Sequence, residues 1–168
     1  MKSSTEPPIL GLTSILQNKA HKLAEIHDLF LNPKELARFF PEPYVITEQK
    51  ANFTALLIEK EILMNLRGDK RIRFKMDTGC VIDSLPGDVH SPVLIEFYLL
   101  ENNLFYRFGG RLRMRVIDNH IKVGIYIYDL LAKDALLDEI DFNTLKKIIR
   151  DELRALLLHI NNSDLVRS

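Results

Sequence analysis

Apolar and polar residues alternate along the middle of the chain from Tyr44 onwards, with the period expected of β-strands that bury one face. Candidate strands cover 44–49, 52–58, 62–66, 70–76, 79–83, 93–100, 104–117 and 120–128. Turn-forming residues occupy the breaks: Gly68-Asp69, Pro86-Gly87-Asp88, Asn102-Asn103 and Asp118-Asn119. Connections this short favour antiparallel pairing, because parallel strands need crossovers of about a dozen residues or more. The pattern therefore predicts a small antiparallel β-barrel or a curled meander sheet.

Apolar residues before these strands recur every three or four positions, which predicts N-terminal helices. Thr13 or Ser14 can cap a first helix that runs to about Phe30. A short second helix follows Asn32, a good N-cap, and ends before Pro41. The first helix could pack on the sheet or on a second copy of itself, so a homodimer through this helix is one expectation.

The C-terminal part of the chain predicts an amphipathic helix from near Asp141 or Asn143 to about Ile160. We therefore assign the chain to the α+β class, with N-terminal helices, a small antiparallel β-barrel or curled meander sheet, and this last helix. The expected division is an N-terminal helical segment, 1–42, followed by a β-barrel domain with the C-terminal helix, 43–168.

Three arginines alternate with apolar residues in the run Arg111-Leu112-Arg113-Met114-Arg115-Val116. Successive side chains of a strand point to opposite faces, so Arg111, Arg113 and Arg115 share the face away from the core. We call these three residues the outer arginine row. Arginine suits the bidentate recognition of phosphate or carboxylate groups.

A two-residue hairpin loop at Asp118-Asn119 fixes which residues of the flanking strands face each other. Counting from it pairs apolar with apolar residues, which makes the register self-consistent. The outward pairs are then Arg115 with Lys122, Arg113 with Gly124 and Arg111 with Tyr126. The first of these sets like charges opposite each other, which costs stability. The third pair places the Tyr126 ring beside the Arg111 guanidinium, where a cation–π contact can form.

A second strand, Arg71-Ile72-Arg73-Phe74-Lys75-Met76, repeats the alternation of cations with apolar residues. Two such strands could form one basic surface, although the sequence does not show that they are neighbours. Two interpretations stay open at this point. The cations belong either to a solvated sheet face that meets nearby acids or to a surface for an anionic ligand or an acidic partner.

Composition narrows the function classes. The 168 residues contain 23 Lys and Arg against 23 Asp and Glu, without the basic excess of a protein that coats nucleic acid. One cysteine, Cys80, excludes an internal disulfide and favours a reducing compartment. No apolar run approaches the roughly 20 residues of a membrane span, so a cytoplasmic location is expected.

Chemistry-bearing motifs are absent from the sequence. The histidines are scattered, and His21 and His27 are too far apart in sequence to share a helical face, so no metal pair is predicted. There is no phosphate-binding glycine loop and no nucleophile elbow. We therefore expect no cofactor and no enzymatic activity.

The stretch PVLIEFYLLENNLFYRFGGRLRMRVIDNHIKVGIYIYDL resembles the closing strands of PilZ-type barrels and of the related flagellar-brake barrel. PilZ domains bind cyclic di-GMP through Arg-x-x-x-Arg and a later Asp/Asn-x-Ser-x-x-Gly. Arg67 and Arg71 have the first spacing, and Ser84 to Gly87 match the second, but Ile82 stands where the acid or amide belongs. The resemblance implies a regulatory barrel with an incomplete nucleotide motif.

These observations predict a non-catalytic cytosolic binding domain that captures an anionic ligand, such as a cyclic dinucleotide, or an acidic protein. The candidate ligand-binding residues are Arg67, Arg71, Arg111, Arg113, Arg115, Lys122 and Tyr126. The chain also resembles type III secretion chaperones and YbjN-like proteins, in which a sheet precedes a long terminal helix. That resemblance implies an adaptor that binds a client protein.

Overall fold

Seven antiparallel strands form one curled sheet, and a long C-terminal helix lies against its inner face. The computed structural model describes residues 7–42, 44–64, 70–87 and 93–163. The strands are β1 (Leu10–Leu16), β2 (Val45–Lys50), β3 (Phe53–Met64), β4 (Lys70–Leu85), β5 (Val93–Leu99), β6 (Phe105–Ile117) and β7 (His120–Ala132). The helices are α1 (Leu23–Leu31), α2 (Pro33–Leu36), α3 (Asp134–Leu137) and α4 (Phe142–Asn162).

The strand order in the sheet is β1-β7-β6-β5-β4-β3-β2. Strands β2 to β7 form a meander in sequence order, and β1 joins its far edge beside β7. The predicted curled meander is confirmed, whereas the alternative of a barrel is wrong, because β1 and β2 lie at opposite edges of the sheet. The predicted breaks within β3 and within β4 are also wrong, since each is one long strand.

The N-terminal segment is not purely helical. The predicted helix from Thr13 or Ser14 is wrong in its first half, because residues Leu10–Leu16 pair with β7. Leu10, Leu12 and Leu16 are buried at the period of a strand, with exposed fractions of 5% or less. The helix α1 begins only at Leu23, after a short 3-10 turn. A homodimer through an N-terminal helix has no support from this arrangement, since β1 pairs within the chain's own sheet.

The hairpin of β6 and β7 has the predicted register. Arg115 lies opposite Lys122, Arg113 opposite Gly124 and Met114 opposite Val123. Asp118 takes up the left-handed conformation, with φ of 55°, which the tight turn requires. This register places the alternate apolar residues of both strands in the core.

The core lies between the inner face of the sheet and α4. At one end Leu157 and Ile160 of α4 are fully buried with Leu16 of β1 and Ile26 of α1. At the other end Leu145 is buried in a cluster with residues of β1, β4 and β7. Asp141 begins α4 by accepting a hydrogen bond from the Thr144 amide at 2.7 Å. The predicted C-terminal amphipathic helix is confirmed.

Gly110 of β6 lies beside a shift in the register of β6 with β7. A Cβ atom there would stand 2.2 Å from the Tyr126 carbonyl oxygen and 3.0 Å from the Ile127 Cα. Because both atoms belong to backbone, we expect Gly110→Ala to lower the free energy of unfolding by about 1–3 kcal/mol. Urea denaturation measures this.

Gly11→Ala is the matched control, because its new Cβ would meet side chains and no backbone: the Tyr126 ring at 3.0 Å, which can shift, and Pro8 Cγ at an ordinary contact distance of 3.6 Å. An equal loss of stability in the two variants would show that contact between a Cβ atom at position 110 and the β7 backbone is not what disfavours alanine there.

The Asp141 carboxylate gives the start of α4 a pH dependence. The Thr144 backbone amide, and next the Thr144 side chain, hold the pKa of this carboxyl below its usual value. The ionised Asp141 carboxylate therefore stabilises the folded state fully at pH values above the ordinary pKa of a carboxyl group. This stabilisation is lost as the pH falls through the lowered pKa of the folded state. We expect Asp141→Ala to lower the free energy of unfolding at neutral pH and to converge with the parent protein in acid.

Asp141→Asn is the control for this effect. The amide oxygen can still cap α4, but it does not titrate, so this variant keeps more stability than the alanine variant at neutral pH. Urea denaturation at several pH values measures both. A difference between the parent and the alanine variant that stays constant down to strong acid would contradict this account.

Candidate functional site

A cavity of about 310 Å³ lies between the inner face of the sheet and α4. Its wall is apolar over most of its extent, with aliphatic and aromatic side chains from strands β3 to β7, α4 and the segment around α2. The principal lining side chains are Leu56, Ile58, Ile62, Phe74, Met76, Ile82, Phe97, Leu99, Phe108, Leu112, Ile148, Ile149 and Leu153. The volume falls at the lower end of the range of small-molecule sites in proteins.

The alternation along the strands directs these side chains inward. Leu56, Ile58 and Ile62 occupy alternate positions of β3. On the other wall, Ile149 and Leu156 recur at helical spacing along α4. The C-terminal half of α4 packs on β1, and just after β1 the backbone N–H of Gln17 donates to Asn161 Oδ1 at 2.7 Å. Helix α4 therefore packs closely on the β1 side of the sheet, and the cavity lies between the sheet and the part of α4 from Leu145 to Leu156.

An ion pair joins the two walls of this cavity. Lys60 lies on the inward face of β3, between Ile58 and Ile62, and its ammonium group donates to the carboxylate of Glu152 on α4. Both side chains line the cavity and remain partly accessible, with exposed fractions of 22% and 27%. The pair brings two opposite charges to a wall that is otherwise mostly apolar.

Two further polar side chains on the wall stay neutral. Burial raises the pKa of Tyr44 well above its usual value, and the nearby Cys80 adds to this shift. The Tyr44 hydroxyl donates to the Pro33 carbonyl oxygen at 2.7 Å. Burial also raises the pKa of the Cys80 thiol to about 11. A protonated, buried thiol is a poor nucleophile.

The outer arginine row lies on the opposite face of the sheet from the cavity. Arg111 forms an ion pair with Glu96 at 3.3 Å. The Arg113 guanidinium, and not that of Arg111, lies over the Tyr126 ring, 5.9 Å from its centroid. Arg115 and Lys122 have no ion-pair partner among the residues that the structure describes.

The second basic strand is not adjacent to the outer arginine row, because β5 lies between β4 and β6. Arg71 and Arg73 both pair with Glu61 of β3, at 3.3 and 3.1 Å. Arg67 lies outside the described residues. Arg71 is therefore separated from the other described candidate residues. The structure brings together Arg111, Arg113, Arg115, Lys122 and Tyr126. That these residues bind an anion stays a prediction.

Sequence reasoning missed the cavity and its ion pair. The available signal was a charged residue within each apolar row: Lys60 between Ile58 and Ile62, and Glu152 between Ile149 and Leu156. Within the described ranges, no group of three or more His, Cys, Asp or Glu side chains is placed to hold a metal ion. None of the described helices is long and apolar enough to cross a membrane.

Solved structures with this arrangement show which fold it is. A START superfamily protein from Mycobacterium smegmatis superposes with a TM-score of 0.58 and 13% identity, over 90% of this chain and 93% of that chain. Major latex-like protein 151 of Panax ginseng superposes with a TM-score of 0.53 and 12% identity, over 90% of this chain and 93% of that chain. The protein TTHA0849 of Thermus thermophilus superposes with a TM-score of 0.52 and 12% identity, again over 90% of this chain and 93% of that chain. The chain has the helix-grip fold.

No protein-family model and no curated protein sequence matches the chain. At 12–13% identity the structural similarities establish the helix-grip fold alone. The resemblance to PilZ-type barrels is therefore wrong, and the expectation of cyclic di-GMP, which depended on it, is not supported. An arginine alternating with apolar residues marks any strand with one solvated face, so the pattern is not specific to PilZ barrels.

The raised pKa of Cys80 predicts slow alkylation of the folded protein. A shift from 9.0 to about 11 leaves about a hundredfold less thiolate at any pH below both values. We expect iodoacetamide to label the folded chain about a hundredfold or more slowly than the urea-unfolded chain. The labelling rate of the folded chain should rise with pH up to about 11.

Mass spectrometry measures this labelling without ambiguity, because the chain has one cysteine. Equal rates for the folded and unfolded chains would show that the thiol is not buried in the cavity wall.

Proposed function

We propose that the protein is a non-catalytic binding protein that takes up a small, predominantly apolar molecule in the helix-grip cavity. The observation that carries this proposal is the cavity itself, about 310 Å³ with a mostly apolar lining. Large aliphatic and aromatic side chains surround it without filling it. An apolar ligand would restore the packing contacts that such a space lacks.

The number of aromatic side chains in the wall favours a ligand with a flat or bulky apolar body. The rings that line the cavity are Phe30, Phe40, Tyr44, Phe74, Phe97, Phe105 and Phe108. Phe105 and Phe108 meet edge to face, with their centroids 5.3 Å apart. Aromatic pairs of this geometry also accept a further ring in an offset or edge-on arrangement.

Binding, and not catalysis, is the role that the polar groups of the wall support. Lys60 and Glu152 neutralise each other. Tyr44 donates to a backbone carbonyl, and Cys80 is held protonated. Catalysis would need a nucleophile beside a base, or an acid and a base poised near a reacting atom. These side chains do not form such a constellation.

The comparisons support a ligand-binding role only through the fold, which this chain shares with a START superfamily protein and a major latex-like protein. The secretion-chaperone hypothesis gains no specific observation from the structure.

Titration with phenylnaphthylamine, a neutral dye that fluoresces in apolar surroundings, tests the proposal. We expect saturable binding that Ile149→Trp weakens about tenfold or more, equivalent to roughly 1.4 kcal/mol, because the indole would occupy the cavity. Ile149 is half-buried and lies on the cavity side of α4.

Leu158→Trp is the matched control on the same helix. Leu158 is 55% exposed and does not line the cavity, so this variant should bind the dye as the parent does. Circular dichroism confirms that both variants are folded. Equal binding by the two variants, or no saturable binding by the parent, would refute the proposed site.

A further inference from the structure

The Lys60–Glu152 ion pair gives the cavity a polar feature that a purely apolar ligand does not use. We propose that Lys60 and Glu152 together select a ligand that carries a hydroxyl group, an alcohol or a phenol, on an otherwise apolar body. This inference rests on the proposed function, because it names the chemical class of ligand for the same cavity.

The pair has hydrogen-bonding capacity to spare. An ammonium group has three donors, and a carboxylate has two acceptor oxygens with about four lone-pair sites. The structure gives one hydrogen bond between them, from Lys60 Nζ to Glu152 Oε1, and no other protein partner among the described residues. A hydroxyl group is both donor and acceptor, so it can accept from Lys60 and donate to Glu152 at once.

The charge balance of the wall favours a neutral head group over a charged one. The pair is neutral as a unit, and a hydroxyl group that bridges it leaves both charges compensated. A ligand carboxylate would compete with Glu152 for Lys60 and leave one carboxylate uncompensated. The other acids that line the cavity are Glu42, which is exposed, and Glu59, which pairs with Lys75 at 3.9 Å.

A cationic ligand meets the converse difficulty. An ammonium group that binds Glu152 would leave Lys60 without its partner in a partly buried position, which is costly. Among the described residues, Glu152 is the acid that forms an ion pair with Lys60, and apolar Phe74 lies directly opposite Lys60 in the register of β3 and β4. On the helix, Ile149 and Leu156 lie one turn to either side of Glu152. The polar spot is therefore small, and it matches one hydroxyl group.

A series of ligands with one bicyclic aromatic body tests this selection: naphthalene, naphthol, naphthoate and naphthylmethylammonium. Each is titrated against the bound dye, and its dissociation constant is obtained by competition. We expect naphthol to bind about tenfold more tightly than naphthalene, because hydrogen bonds to charged groups are the stronger kind. The two charged ligands should bind no more tightly than naphthalene.

Two double variants separate the ion pair from the rest of the wall. In Lys60→Met with Glu152→Leu, naphthol should lose its advantage while naphthalene still binds, and apolar residues of similar size commonly replace such a pair without loss of stability. In Lys60→Glu with Glu152→Lys, the charges are exchanged but the pair remains, so naphthol should keep its advantage.

The control is Lys70→Met with Glu139→Leu, which removes an exposed ion pair of 3.1 Å away from the cavity lining. It should leave the whole series unchanged. Equal affinity of the parent protein for naphthol and naphthalene, or tightest binding of a charged ligand, would overturn the hydroxyl selection and leave the proposed function standing. Failure of all four ligands and of the dye to bind would overturn the proposed function itself.

Discussion

The structure depends on covering the apolar inner face of a curled sheet with one long helix. Helix α4 meets this requirement fully only along part of its length, where Leu157 and Ile160 pack with Leu16 of β1 and none of the three is accessible to solvent. Over parts of strands β3 to β7 the side chains of the sheet and of the helix do not meet closely enough to fill the space between them. The cavity is the consequence of that geometry.

An unfilled apolar space within a fold costs stability, because the atoms that line it lack contacts on one side. The wall is built from large side chains such as Phe74, Phe97 and Ile149, so the space does not result from small residues. The ion pair of Lys60 and Glu152 places charge in this wall, where apolar residues would pack at least as well. Both features are understandable if the cavity holds a ligand that completes the packing and uses the pair.

The sequence allowed the meander, the C-terminal helix and the register of β6 with β7 to be predicted, because alternation and the Asp118-Asn119 turn are local signals. Strand β1 was missed, since its short apolar pattern fits both a helix and a strand, and only pairing with the distant β7 decides between them. Periodicity shows which side chains face inward, but not how far the covering helix stands from them, so the cavity could not be predicted. A charge pattern such as the outer arginine row is visible in the sequence, whereas a gap between two apolar surfaces is not.

Isotope-edited NMR of the protein with bound naphthol tests the central claim most directly, because it locates the ligand by its proton contacts. If naphthol occupies the cavity, we expect nuclear Overhauser contacts from the same bound ligand to Ile58 on β3 and to Ile149 on α4, the two walls of the cavity. Contacts confined to side chains on the outer surface, such as Tyr98 or Leu131, would contradict the central claim.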